Sequence, residues 1–212
     1  MKILKKGIFV LSLFALVGCS KIVKNDDYPT IQEKMINMET YSSSGNVTYI
    51  SNKGQTSYNI NQYVKKDGKY ILKTNTPEDF AGNIILFDGN ILWQYNPKLD
   101  SKISVGEKDK MERKEISLFS FLENHTKSQD IAMETANIDD EMYTILEAKI
   151  PGGNKFFDSE KLWINNKTKS PEKLVIYDTE GKERIILEIK EFEYNPNFED
   201  EMFKIENIEK YK

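Results

Sequence analysis

The sequence predicts a mainly β domain of the α+β class, a curved antiparallel half-barrel covered by short helices. Short stretches in which apolar and polar residues alternate recur along most of the chain. Turn residues such as Asp88-Gly89 separate these stretches, which places consecutive strands in hairpins. Only two or three segments have helical spacing. Many short strands with so few helices favour an antiparallel sheet covered on one face.

A short helix is predicted first, over residues 28–40. Most of its apolar residues (Ile31, Met35, Ile36 and Met38) suit one face of a helix, and Pro29 stands near its start. This helix is therefore expected to cover part of the sheet.

Strands with a period of two follow. They are predicted at residues 47–50, 58–64, 70–72, 83–87 and 91–95. The clearest hairpin joins the last two through Asp88-Gly89-Asn90, and Asn96-Pro97 ends it.

The second half begins with a second helix, predicted over residues 115–127 from Ile116, Phe119, Phe121 and Leu122. Residues 129–138 fit neither pattern clearly. Further strands are predicted at residues 142–150, 155–165, 171–177 and 183–194, and the tail at 196–208 has a mixed pattern.

The N-terminus has the layout of a secretory signal peptide. Lys2, Lys5 and Lys6 precede an apolar stretch at residues 7–17. That stretch is too short to cross a hydrocarbon core of about 30 Å as a helix. Residues 1–18 are therefore expected to direct export and to be removed.

The residues at the expected cleavage point predict lipidation. Leu16-Val17-Gly18 stands directly before Cys19, a pattern that resembles the bacterial lipobox. Cys19 should become the lipidated first residue of the mature chain, and two or more acyl chains on it would anchor the protein to a membrane face. The chain then divides into a signal peptide (1–18), a lipidated tether (19–27) and a single domain (28–212).

Composition limits the classes of partner. The net charge is −4, and removal of the signal peptide's three lysines takes it to −7. Lysines and acids are interspersed, whereas nucleic-acid binding needs a concentrated basic face. Cys19 is the only cysteine, so intrachain disulfides are excluded.

The chemistry-bearing residues do not form a catalytic pattern. His125 is the only histidine, and it is expected as an exposed residue at a helix end. A metal site of the usual His/Cys kind is excluded by count, and the adjacent acids at 139–141 and 199–201 are expected to be solvated. No catalytic residue, metal or cofactor is predicted other than the lipid on Cys19.

Three aromatic residues on predicted strands are candidates for a pocket or a partner surface: Trp93, Tyr95 and Trp163. Strand alternation is expected to send the large rings to the concave side of the sheet. Core packing is the alternative interpretation for the tryptophans, because large rings contribute strongly to cores.

Two segments resemble the LolA/LolB-like lipoprotein-carrier fold. Residues 77–102 (PEDFAGNIILFDGNILWQYNPKLDSK) contain a proline, a strand, Asp-Gly, a second strand and Asn-Pro. Residues 161–205 contain a strand, a turn, a proline, two more strands and a closing Asn-Pro followed by Phe198 and Phe203. The resemblance implies an incomplete barrel around a hydrophobic cavity that helices cover.

Together with the lipobox, this fold resembles the clostridial germination lipoproteins of the GerS type. That resemblance implies a non-catalytic accessory protein that binds a spore-cortex or cell-wall N-acetylmuramoyl-L-alanine amidase in germination. It also implies a position on the outer face of the cytoplasmic membrane or on a spore membrane. A carrier or sensor of lipids or lipoproteins, with an acyl chain as ligand, is an alternative, and a hydrolase of unknown type is a third.

Overall fold

One continuous antiparallel sheet organises the chain. The computed structural model describes residues 27–107, 115–128 and 132–211, so Leu16, Val17, Gly18 and Cys19 lie outside the described residues. The strands lie in the order β6-β5-β4-β3-β2-β1-β11-β10-β9-β8-β7. Their bounds are β1 Thr40–Ser51, β2 Gly54–Lys65, β3 Tyr70–Thr76, β4 Ile84–Phe87, β5 Ile91–Asn96, β6 Ser101–Glu107, β7 Ala132–Ile138, β8 Glu141–Asn154, β9 Phe157–Asn165, β10 Pro171–Tyr177 and β11 Glu183–Tyr194.

Two helices pack on one face of this sheet, which we call the helix-covered face. They are α1, Tyr28–Ile36, and α2, Leu118–Lys127. The predicted fold class, an antiparallel sheet that does not close and is covered by short helices, is confirmed. None of the helices in the described part of the chain is long and apolar enough to cross a membrane.

The largest core lies between the helices and the sheet. Ile31 and Met35 of α1 and Phe121 of α2 pack there with residues of seven central strands, such as Tyr41 and Leu162. Burial of these side chains supplies the main driving force for folding in a chain that has no intrachain disulfide.

A second core lies on the opposite face of the sheet. Short 3₁₀ helices at Asp200–Phe203 and Ile205–Tyr211 cover it. Phe203 and Ile208 pack there against Ile71, Ile84 and Leu86 of β3 and β4. The tail with the mixed pattern therefore closes the face that the helices leave open.

Several boundaries differ from those predicted. The first helix ends at Ile36, and β1 begins at Thr40, seven residues before the predicted strand. Here β1 pairs with β2 and β11 along almost its whole length, so sheet hydrogen bonds override the weak strand propensity of its serines. The segment with an unclear pattern contains β7, and β6 has no counterpart among the predicted strands.

Gly45 marks a bulge at the centre of the sheet. The pairing of β1 with β11 shifts between Ser44 and Gly45. A Cβ atom at Gly45 would lie 2.0 Å from the carbonyl oxygen of Glu188. Only glycine allows this close approach of the two backbones.

Candidate functional site

Two cavities open on the helix-covered face. Cavity 1 has a volume of about 840 Å³ and lies between α1, α2 and the turn that joins β2 to β3. Apolar side chains make up much of its wall: Met35, Ile36, Met38, Val64, Leu72, Phe87, Phe119 and Leu122. The volume falls within the roughly 300–1,000 Å³ of small-molecule sites.

Cavity 1 also has polar groups in its wall. Gln62 is buried, accepts a hydrogen bond from the Ser43 hydroxyl (2.9 Å) and donates one to the carbonyl oxygen of Ile116 (3.3 Å). His125 is half-buried and stacks on Phe121 with ring centroids 5.7 Å apart. The imidazole Nε2 is buried without a hydrogen-bond partner among the described residues, and burial lowers the pKa of His125. The expected exposed histidine is therefore wrong, because its ring packs against its own helix.

Cavity 2 lies farther along the same face, at the other end of the strands. Its volume is about 600 Å³, and Tyr49, Tyr58 and Phe80 form a row of aromatic rings along it. Adjacent rings are 6.2 Å and 5.7 Å apart and meet edge to face. Leu72 contributes to the walls of both cavities.

An exposed apolar patch borders cavity 2 beside a free sheet edge. It consists of Phe80, Leu99 and Ile103, of which Leu99 is 75% and Ile103 58% exposed. Ile103 is in β6, which has only β5 as a neighbour, so its outer edge is free in the described sheet. An unpaired strand edge can pair with a strand of another chain. We call these three residues and this edge the β6 patch.

A buried carboxyl group lies beneath α2. Glu160 of β9 is 2% exposed, and its Oε1 accepts a hydrogen bond of 2.8 Å from the side-chain amide of Asn124 in α2. Burial raises the pKa of Glu160 to about 7, although the hydrogen bond from Asn124 opposes this shift. Sequence reasoning missed Glu160, but its position two residues before the inward-facing Leu162 is a signal that could have found it.

Neither tryptophan lines cavity 1 or cavity 2. Trp93 packs against the second core and donates from Nε1 to an oxygen of Asp88 at 3.1 Å. Trp163 lies between Leu162 and Ile164, which face the first core, so its own ring faces the other way.

Both tryptophan rings therefore lie on the face opposite the helix-covered face, away from cavity 1 and cavity 2. The alternation of side chains along β5 and β9 shows which residues share a face of the sheet, but it does not reveal which face the helices cover. Lys173 lies over the Trp163 ring at 5.1 Å. Tyr95 is buried in the second core at 2% exposure, although it also borders cavity 2, and a partner surface at any of these aromatics stays a prediction.

The acidic groups noted in the sequence lie on the surface of the protein. Asp139 and Asp140 are exposed in the turn between β7 and β8, and Asp200 pairs with Lys65 at 2.5 Å. The described residues contain no group of three or more His, Cys, Asp or Glu side chains that could hold a metal ion.

The sequence comparisons give the family. A family model described as sporulation protein YdcC-like matches residues 1–203. The chain belongs to the YdcC-like sporulation protein family. It is 23% identical to the sporulation protein YdcC of Bacillus subtilis over 195 residues, which cover 92% of this chain. The chain spans 57% of the length of that relative.

Solved structures show a similar fold. An uncharacterized conserved protein from Thermus thermophilus is 13% identical, with a TM-score of 0.52 over 83% of this chain and 91% of that one. A LolA superfamily protein from Nitrosomonas europaea is 16% identical, with a TM-score of 0.44 over 84% of this chain and 97% of that one. The open antiparallel sheet covered by short helices that the motifs predicted is the fold that this YdcC-like protein has.

A further similar structure is a complex. It contains the CwlD amidase from Clostridioides difficile with the GerS lipoprotein. The match is 28% identical, with a TM-score of 0.45, and covers 81% of this chain and 96% of that one.

Proposed function

We propose that this YdcC-like protein is a non-catalytic, lipid-anchored partner of a cell-wall amidase in spore formation or germination. Membership of a sporulation family supports the process. The resemblance to germination lipoproteins supports the class of partner, and the identity of 28% with a chain of the CwlD–GerS structure agrees with it. In this proposal the lipid on Cys19 anchors the protein to the outer face of the cytoplasmic membrane or to a spore membrane.

The observation that carries the proposal is the β6 patch. Leu99 and Ile103 expose apolar surface next to an unpaired strand edge, and cavity 2 lies beside them. A partner strand can hydrogen-bond to such an edge while its apolar side chains enter the neighbouring hollow. Lysines often protect free edges, but Lys102 lies over the ring of Tyr95, on the other side of the strand from Ile103.

The test is a binding measurement between the purified protein and the cortex amidase of the same organism. We expect Ile103→Asp to weaken binding by at least about tenfold, since a central apolar contact of an interface commonly contributes that much. Met133→Asp is the matched control, because Met133 is 46% exposed on the opposite edge strand β7.

The outcomes separate the function from the site. If the unchanged protein does not bind the amidase, the proposed function is wrong. If it binds and Ile103→Asp binds equally well, the β6 patch is not the interface. Both substitutions lie on exposed positions, so their melting temperatures should match that of the unchanged protein.

Cavity 1 supports a second candidate function, the binding of an acyl chain. Its apolar wall and its volume suit such a ligand. The test is the binding of a fluorescent fatty acid, with Leu122→Glu as the variant that should abolish it. Intrinsic tryptophan fluorescence is a poor reporter, because neither Trp93 nor Trp163 lines the cavity. Absence of fatty-acid binding by the unchanged protein would refute this candidate.

A further inference from the structure

Two titratable groups lie where α2 packs on the sheet, in adjacent positions of the helix contact. Asn124 of α2 donates a hydrogen bond to Glu160 of β9, and the next residue, His125, has a buried ring nitrogen that no group in the described part of the chain contacts by a hydrogen bond. The carboxyl group is uncharged when it carries its proton, whereas the imidazole is uncharged when it has lost its second proton. Burial favours the uncharged state of both.

The surroundings of Glu160 cannot stabilise a negative charge well. Its cross-strand neighbours are Ala148 on β8 and Ile176 on β10, both buried in the first core. Leu162, the next residue of β9 on the same face, is fully buried. From α2 the carboxyl group receives one hydrogen bond, which the side-chain amide of Asn124 donates. An ionised Glu160 beneath a docked α2 is therefore costly.

Charged groups around this contact are already paired with one another. On α2, Glu123 pairs with Lys127. On the strands and on the far wall of cavity 1 the pairs are Lys149–Asp158, Lys161–Glu147, Arg184–Asp178, Lys65–Asp200, Lys66–Glu39 and Lys69–Asp67. The residues of α1 that line cavity 1 are uncharged: Tyr28, Gln32, Met35 and Ile36. No neighbouring cation among the described residues pairs with Glu160.

We propose that Glu160, Asn124 and His125 form a proton-controlled latch that holds α2 over cavity 1. The helix is docked while Glu160 keeps its proton, and loss of that proton releases α2 and opens the cavity. Undocking gives the carboxylate access to water, where its ordinary pKa is about 4.5. Docking is therefore expected to weaken as the pH rises towards neutrality.

His125 acts in the opposite direction. Its ring is buried against Phe121, so a proton on the imidazole favours the undocked helix. If His125 were the only titrating group, docking of α2 would strengthen as the pH rises through the ordinary histidine pKa of about 6.5. Removal of one group at a time should therefore give pH dependences of opposite sign, which no general acid or base effect would produce.

The experiment measures hydrogen exchange of the α2 amides in the full-length protein at pH 5 and pH 8, corrected for intrinsic exchange rates. In His125→Phe we expect protection to fall by about 70-fold between these pH values, from the shift in Glu160 protonation. In Glu160→Gln the fall should disappear, and protection should stay constant or rise. Glu123→Gln, which removes an exposed carboxylate from α2, is the control and should behave like the unchanged protein.

Equal protection at pH 5 and pH 8 in His125→Phe would overturn the proposal. A fall in protection that persists in Glu160→Gln would overturn it as well. The Glu160→Gln substitution keeps the acceptor for Asn124 and the size of the side chain, so the variant should fold. The latch does not depend on the proposed amidase partner, because no partner is present in this measurement.

Discussion

Glu160→Gln should change how the stability of the whole domain depends on pH. The carboxyl group is 2% exposed, and its pKa is raised from 4.5 to about 7. Because the folded pKa lies above the unfolded value, the folded protein binds the proton more tightly. Below about pH 4.5 this tighter proton binding therefore makes its full contribution to the free energy of unfolding.

The sign of the effect sets the pH window. As the pH rises from about 4.5 to 7, the unfolded chain loses the proton first, and the stability falls. Above pH 7 the loss is complete and amounts to about 3 kcal/mol, from the difference between the two pKa values. This is a large part of the 5–15 kcal/mol that stabilises a typical domain.

Urea denaturation at a series of pH values, with unchanged protein and Glu160→Gln side by side, measures this quantity. Other carboxylates titrate in both proteins and cancel in the difference. The extra amide hydrogens of the glutamine lower stability by an amount that does not depend on pH. We expect the variant to gain about 3 kcal/mol relative to the unchanged protein between pH 4.5 and pH 8. A difference that stays constant within about 0.5 kcal/mol over this range would refute the reasoning.

Three further predictions concern separate parts of the chain. Gly45→Ala should destabilise the fold by more than about 2 kcal/mol, because its Cβ would meet the carbonyl oxygen of Glu188; a melting temperature equal to that of the unchanged protein would contradict this. Tyr41→Phe should cost about 1–2 kcal/mol in urea denaturation, because the Leu118 N–H that starts α2 loses its acceptor, and an unchanged midpoint would count against it. Cys19→Ala should leave the precursor uncleaved and without palmitate label; undiminished labelling would show that Cys19 is not the lipidated residue.

The sequence predicts local elements well where the signal is local. The hairpin at 83–95 is an example, since β4 and β5 begin and end within one residue of the predicted bounds. Alternation and the Asp88-Gly89 turn act within a dozen residues, so no distant part of the chain is needed to specify them. By contrast, β6 was missed because it is an edge strand with only two apolar residues, and its formation depends on pairing with β5.

Prediction was weaker for the site because a site depends on which face each residue occupies. The alternation around Trp163 shows that its ring and Leu162 lie on opposite faces of the sheet. It does not show that the helices pack on the face of Leu162. Glu160 shows the same limit from the other direction. It shares a face with Leu162, yet a strand of alternating charge such as Glu160-Lys161 has the composition of a solvated surface. Only the packing of α2 makes it a buried acid.

The two proposed devices occupy different parts of one sheet, and this allows them to be tested against each other. The β6 patch lies on one outer strand, whereas α2 packs on β8, next to the strand at the other edge. Ten residues separate the end of β6 at Glu107 from the start of α2 at Leu118. If a partner strand on β6 also alters the protection of α2, the two sites are coupled; Ile103→Asp should then weaken both the binding and the change in protection. If the sites are independent, Ile103→Asp weakens binding and leaves the pH dependence of α2 as it was.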